Sequence, residues 1–160
     1  MREAVEILKS ALYNEVILRT FYSKATDITN DDESRMLFLE LTSDEEDHVQ
    51  LIIKRLEGPP YAREFDPQKY LKELESSLEN ILYSNETESL QSADIKKVLE
   101  IAIKMEKRAR DTYLDLEKKV SSPEVKTMCH ELATEEKEHL NSVTTMLLSL
   151  DMGEEERPSL

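Results

Sequence analysis

The sequence predicts an all-α fold: a four-helix bundle of two antiparallel helical hairpins joined by a long crossover that contains a short helix. Apolar residues recur with helical spacing in four long segments. Charged residues make up 35% of the chain and hydrophobic residues 39%, with only 2 glycines and 5 prolines, a composition typical of long amphipathic helices. The first and last connections are short, whereas the middle one spans about 35 residues, which favours two hairpins.

The first hairpin is formed by two predicted helices, over about residues 2–27 and 32–57. The second of these starts after the cap-like stretch "TNDDE" and ends at "GPP", residues 58–60. Its inward-facing stripe consists of Phe38, Leu41, Glu45, His48, Ile52 and Leu56. The stripe of the preceding helix consists of Leu8, Ala11, Leu12, Glu15, Leu18 and Tyr22.

The crossover covers about residues 58–92 and lets the chain return along the bundle before the second hairpin begins. Within it, "DPQKYLKELESSLENILYS" predicts a short helix that starts after Asp66.

The second hairpin begins with a predicted helix over about residues 93–120, with Ser92 as its N-cap. The last helix opens at "SSPE", which places Pro123 at its first position. Their stripes are Ile95, Leu99, Ala102, Glu106, Ala109 and Tyr113, then Met128, Leu132, Glu136, His139, Val143 and Met146. We expect one domain over residues 1–152 and a flexible tail over 153–160.

The two hairpins repeat each other at a constant shift of 91 residues, the difference between His48 and His139. Each hairpin has a glutamate on its first helix, a second glutamate 30 residues later and a histidine three residues beyond that. The repeated pairs include Glu15 and Glu106, Arg19 and Arg110, Tyr22 and Tyr113, Glu40 and Glu131, Glu45 and Glu136, and His48 and His139.

The four glutamates and two histidines of this repeat lie on the apolar stripes, and this position suggests a metal site. A lone ionised carboxylate in a core costs several kcal/mol, and four together repel one another. Two divalent cations would neutralise four carboxylates, and residues three apart share one helical face. Carboxylates with a minority of imidazoles suit iron or manganese. The alternative is a set of charged residues at the edge of the core that form salt bridges with Arg19 or Arg110.

This residue set resembles that of the ferritin-like di-iron or di-manganese carboxylate proteins, in which two helices each supply a glutamate and two supply Glu-x-x-His. The stretches "NEVILRTFY" and "MEKRARDTY", with a tyrosine seven residues after the glutamate, are similar to those of rubrerythrin-type proteins. The resemblance covers about residues 3–150. It implies that Glu45 and Glu136 bridge two ions, that Glu15 and His48 serve one, and that Glu106 and His139 serve the other.

The resemblance further implies two iron ions, or manganese, and a di-iron oxidoreductase that reduces peroxide or dioxygen, oxidises Fe²⁺, or does both in oxidative stress. Its electrons would come from an external donor. Two alternatives stay open: oxygenation of an organic substrate, and a metal-free helical interaction module. Tyr22 and Tyr113 could hydrogen-bond the ligands or relay electrons, or could be plain core tyrosines. Asp44 and Glu135 could accept the outer N–H of a ligand histidine, or could form an acidic surface.

The sequence departs from rubrerythrin in two ways. It lacks the paired cysteines of a rubredoxin-like domain, and Ala109, with its repeat mate Leu18, stands where rubrerythrin has an extra carboxylate. The second departure argues against the rubrerythrin peroxidase cycle. The six-ligand set is similar to that of bacterioferritin, but the tail is too short and polar for the fifth helix of a storage ferritin.

The overall charge and the single cysteine limit the class of partner. The net charge of −14 makes nucleic acid and anionic membranes poor partners. No apolar run reaches the ~18 residues of a membrane span, the N-terminus is no signal peptide, and Cys129 has no disulfide partner. We therefore expect a cytoplasmic protein, and the family resemblance implies a homodimer.

Overall fold

The computed structural model describes residues 2–63, 65–81 and 94–152, which form five α-helices and no strand within those ranges. The helices are α1 (Arg2–Ile28), α2 (Asp32–Glu57), α3 (Pro67–Ile81), α4 (Ile95–Lys119) and α5 (Pro123–Asp151), with a 3-10 turn at Tyr61–Arg63. The predicted all-α bundle, its four long helices and the short helix in the crossover are thereby confirmed. The tail and crossover residues 82–93 lie outside the described residues.

Side-chain caps define where the long helices begin. The Asp31 carboxylate accepts the Ser34 backbone N–H at 3.0 Å, and the Ser122 hydroxyl accepts that of Val125 at 3.4 Å. The predicted N-cap of the third long helix is wrong. Asp94 caps α4 by accepting the Lys97 N–H at 2.9 Å, because it directly precedes the first helical residue, whereas Ser92 lies outside the described part of the chain.

The helices pack as two hairpins, α1 against α2 and α4 against α5, and α3 lies across α1 and α2. Arg19 on α1 joins these three helices through ion pairs with Glu46 on α2 and Glu75 on α3. No helix in the described ranges is long and apolar enough to cross a membrane.

The core is divided into two apolar clusters with a polar layer between them. Along α2, the second cluster ends at Leu41 and the first resumes at Val49; along α5, the first ends at Ala133 and the second starts at Val143. The stripe residues predicted from the sequence are buried, apart from the partly buried Ile95. The apolar clusters therefore enclose the level at which the repeated glutamates and histidines lie.

Candidate metal centre

Six side chains from four helices converge in the polar layer. Glu15 comes from α1, Glu106 from α4, and each Glu-x-x-His pair from α2 or α5. The four glutamates are 0% exposed, and the histidines are 5% and 6% exposed. All six are therefore held away from water between the two apolar clusters. The six members are Glu15, Glu45, His48, Glu106, Glu136 and His139.

The six residues form two overlapping groups of four, in each of which one ligand atom per residue lies within 4.8 Å of the others. One group adds Glu15 and His48 to a shared pair of glutamates, and the other adds Glu106 and His139. The shared pair is Glu45 and Glu136. A carboxylate has two oxygens, so each of these two residues can offer one oxygen to each group.

Both imidazoles direct Nδ1 at the carboxylates. His48 Nδ1 lies 3.1 Å from Glu15 Oε2, 3.2 Å from Glu45 Oε2 and 3.4 Å from Glu136 Oε1. His139 Nδ1 lies 2.9 Å from Glu45 Oε1, 3.7 Å from Glu106 Oε1 and 3.5 Å from Glu136 Oε2. The two rings stack with centroids 5.8 Å apart and planes inclined by 22°.

The outer nitrogen of each imidazole contacts an acidic residue of the opposite hairpin. His48 Nε2, on α2, contacts the carboxylate of Glu135 on α5, and His139 Nε2, on α5, lies 3.2 Å from Asp44 Oδ2 on α2. The sequence left two interpretations open for Asp44 and Glu135, an acidic surface or contact with the outer nitrogen of a histidine. In the structure, both carboxylates contact a histidine of the cluster.

Two buried tyrosines donate hydrogen bonds to the glutamates of α1 and α4, the two helices that each supply only one residue to the six-residue cluster. These bonds also cross between the hairpins. The Tyr22 hydroxyl donates to Glu106, and the Tyr113 hydroxyl donates to Glu15. Tyr113 also lies 3.2 Å from the Ala11 carbonyl oxygen. Both rings are fully buried, so each tyrosine provides core volume as well as a hydrogen-bond donor.

The four carboxyl groups of the cluster differ in pKa: two pKa values are raised and two are lowered. Burial, together with neighbouring carboxylates, raises the pKa of Glu15 and Glu106 well above the usual range. Burial also opposes ionisation of Glu45 and Glu136, but their close polar neighbours lower the pKa of both. These neighbours are the two imidazoles in each case, with Glu15 beside Glu45 and Glu106 beside Glu136.

The histidine pKa values move in the direction that favours the imidazolium ion. Burial alone would lower them, but the surrounding carboxylates raise the pKa of His48 strongly and that of His139 to about 11. Protons and metal cations would therefore compete for the same lone pairs.

The buried atoms that have no hydrogen-bond partner identify what the cluster is suited to hold. Glu45 Oε1, Glu106 Oε2, both oxygens of Glu136 and His139 Nδ1 lack one, although His139 Nδ1 and Glu45 Oε1 are 2.9 Å apart. Orphaned buried groups of this kind are costly and rare. A set of oxygen and imidazole donors without a thiolate fits iron or manganese. The residues therefore fit a pair of such ions.

The salt-bridge alternative fails within the described residues. Arg19 pairs with Glu46 and Glu75, and Arg110 pairs with its neighbour Asp111. No ion pair in the described ranges joins a lysine or arginine to any of the four buried glutamates.

A groove between α2 and α5 is lined by both histidines. Its volume is about 600 Å³. We define this α2–α5 groove by the two histidines and by its acidic residues, which are Glu40, Asp44, Asp47, Glu135 and Glu138.

The comparison with protein families agrees with this geometry. The family model described as rubrerythrin matches residues 6–147. The chain belongs to the rubrerythrin family. No significant match was found among curated proteins, and none among solved structures. Membership suggests a di-iron carboxylate protein, and the buried cluster fits a metal site.

In this rubrerythrin-family chain, the position of the extra carboxylate is apolar in structure as well as in sequence. Ala109 and Leu18 are both buried in the second apolar cluster, at 6% and 2% exposure. The six-residue set thus receives no seventh carboxylate from this position of α4 or from its repeat mate on α1.

The remaining residues singled out in the sequence lie outside the cluster. Glu40 and Glu131 are exposed, His130 is exposed and pairs with Glu117, and Cys129 is buried in the first apolar cluster. That the tyrosine and acidic contacts cross between hairpins is not predictable from the repeat, because the repeat defines positions along a helix and not which helices are neighbours.

Proposed function

We propose that this rubrerythrin-family protein binds two iron ions in the six-residue cluster and uses them as an oxidoreductase centre. The observation that carries the proposal is the burial of four carboxylates and two imidazoles with five atoms left without hydrogen-bond partners. Manganese fits the same donors and is the alternative metal.

The residue roles follow from the two overlapping groups. Glu45 and Glu136 would bridge the ions, because only these two belong to both groups. The other members would be terminal ligands: Glu15 and His48 to one ion, Glu106 and His139 to the other. Two divalent ions and four carboxylates sum to zero charge when the imidazoles are neutral, which removes the cost of burying the acids.

When bound, a ferrous pair can give up two electrons together, enough to reduce one hydrogen peroxide, with two protons, to two waters. The protein residues hold the donors in place and exclude bulk water through the apolar clusters above and below. Tyr22 and Tyr113 donate hydrogen bonds to Glu106 and Glu15 and would keep these carboxylates oriented. Their proposed catalytic part is in proton or electron transfer.

The α2–α5 groove favours small substrates, namely peroxide or dioxygen together with Fe²⁺. Five carboxylates line the groove together with the two histidines, so the potential there speeds the approach of cations, whereas the six-residue cluster determines how tightly they are held. Electrons for repeated turnover would come from an external donor.

One observation favours oxygenation of an organic substrate as the second candidate. A hollow of about 640 Å³ next to the groove is lined in part by Met36, Leu37 and Met146. Its apolar side chains could hold an organic molecule, but Glu40 lines both spaces, so such a substrate would approach the histidines along carboxylates.

The test is anaerobic loading of the apoprotein with Fe²⁺, followed by rapid mixing with peroxide or with dioxygen. We expect two ions per chain and a ferric absorption band that grows at the rate of oxidant consumption. A chain that retains no iron after desalting would support the metal-free interaction module. Hydroxylation of an added apolar compound, coupled to dioxygen use, would support the oxygenase. Light scattering of the loaded protein would test the expected homodimer.

A further inference from the structure

We infer that Asp44 and Glu135 are positioning residues for the metal centre, each fixing the imidazole of the opposite hairpin with Nδ1 directed at an ion. The inference rests on the proposed function and names the residues that keep its two histidines in register. Neither carboxylate belongs to the six-residue cluster, and both lie on the wall of the α2–α5 groove.

The two nitrogens of each imidazole contact different carboxylates. Nδ1 of His48 and of His139 faces the buried glutamates, and Nε2 faces the carboxylates of Glu135 and Asp44 respectively. An N–H on Nε2 that is donated to a carboxylate leaves the Nδ1 lone pair free for a cation. The carboxylate therefore selects the tautomer and fixes the ring plane.

The crossed connection makes each half of the centre depend on both hairpins. Glu135 lies on α5 but holds a histidine of α2, and Asp44 lies on α2 but holds a histidine of α5. A displacement of one hairpin along the other would break both contacts and turn both imidazoles. The two bonds thus couple the alignment of the hairpins to the directions of the metal-binding nitrogens.

The repeat supplies a matched control inside the same groove. Asp44 corresponds to Glu135 at the shift of 91, and Asp47 corresponds to Glu138 at the same shift. All four acids line the groove, but Asp47 and Glu138 have no hydrogen bond to either imidazole. Removing either pair deletes the same charge, while only one pair holds the histidines.

Variants at Asp44 and Glu135 should still fold. The side chains of Asp44 and Glu135 are 55% and 51% exposed, so truncation leaves no core cavity. Alanine removes the acceptor oxygen, whereas asparagine at 44 and glutamine at 135 keep a neutral acceptor that can still receive the Nε2–H.

The experiment measures the affinity of the full chain for Co²⁺ by competition with a chelator, and records the cobalt d–d absorption spectrum. We expect Asp44→Ala and Glu135→Ala to weaken binding about 10- to 100-fold and to change the d–d bands. Asp44→Asn and Glu135→Gln should recover part of the affinity. Asp47→Ala and Glu138→Ala should stay within about twofold of the wild type, with unchanged bands.

The outcomes separate this inference from the proposed function. Wild-type protein that binds no Co²⁺ and no Fe²⁺ would overturn the proposed metal centre itself. Wild-type protein that binds two ions, with equal losses in Asp44→Ala and Asp47→Ala, would show that only the groove's charge matters and would overturn the positioning role. Circular dichroism of each apoprotein checks that the helices are intact.

Discussion

The Tyr22 hydroxyl donates a hydrogen bond to the carboxylate of Glu106, a residue 84 positions further along the chain and in the other hairpin. The repeat produces the reciprocal bond, from Tyr113 to Glu15. Together with the contacts of Asp44 and Glu135, these bonds surround the cluster with four connections that all cross between hairpins. The centre is therefore built at the junction of the two halves, and neither half contains a complete set of contacts.

Removing one tyrosine hydroxyl should weaken metal binding without unfolding the bundle. Tyr22→Phe keeps the buried ring but removes the donor to Glu106, and hydrogen bonds to charged groups contribute about 1.5–3 kcal/mol. We expect about a 10- to 100-fold loss of affinity in a chelator competition. Tyr13→Phe, on the exposed part of the same helix, is the matched control and should bind as the wild type does. Equal affinities for all three proteins would show that the hydroxyl plays no part.

The thiol of Cys129 should be inert and unrelated to the metal. Burial raises its pKa to about 11, with a further contribution from the Glu117 carboxylate, so at pH 8 only about one thiol in a thousand is ionised. We expect the native protein to react with a thiol reagent far more slowly than the guanidinium-unfolded chain.

The corresponding variant, Cys129→Ala, should keep two bound ions per chain, because the thiol packs in the first apolar cluster and not among the six ligand candidates. A variant that binds fewer ions would identify the thiol as part of the centre.

The shared glutamates should matter more than their exposed repeat partners. Glu45→Ala and Glu136→Ala each delete a residue common to both groups of four, so we expect fewer than one ion per chain by elemental analysis. Glu40→Ala and Glu131→Ala remove the same functional group from exposed positions on the same helices and should leave two ions. Equal metal content in all four variants would contradict the ligand assignment.

The sequence predicted those features that depend on position along a helix. The spacing of three residues placed Glu45 and His48 on one face of α2, and the structure buries both. Features that depend on three-dimensional neighbours were not accessible from it. Which tyrosine faces Glu106, for example, depends on how the hairpins are juxtaposed, and that is decided by packing of the apolar clusters.

The helix start at Asp94 shows a second limit. Serine and aspartate are equally good N-caps, and both occur within three residues of each other, so propensity alone does not choose between Ser92 and Asp94. The N-cap is the residue directly before the helix, where the backbone is not helical. Here that residue is Asp94, whose backbone is extended. Helix ends are therefore less predictable than helix faces in this chain.

Metal binding should release protons and strengthen as the pH rises. The pKa values of Glu15, Glu106, His48 and His139 are all raised, which favours the protonated form of each group when no cation competes. Each must be deprotonated to act as a ligand, so the number of protons released on loading two ions should be greater than zero. Because protons are products of binding, lowering the pH shifts the equilibrium away from the metal-bound form.

Calorimetric titration with Mn²⁺ in buffers of different ionisation enthalpy measures this number as the slope of observed enthalpy against buffer enthalpy. His130→Gln is the control, since His130 is exposed and outside the cluster, and it should give the wild-type slope. A slope of zero for the wild type, with two ions bound, would mean that the acids and imidazoles are already deprotonated, and that neither burial of the acids nor the carboxylates around the imidazoles raise these pKa values. A slope that falls in His130→Gln would place part of the proton release outside the cluster.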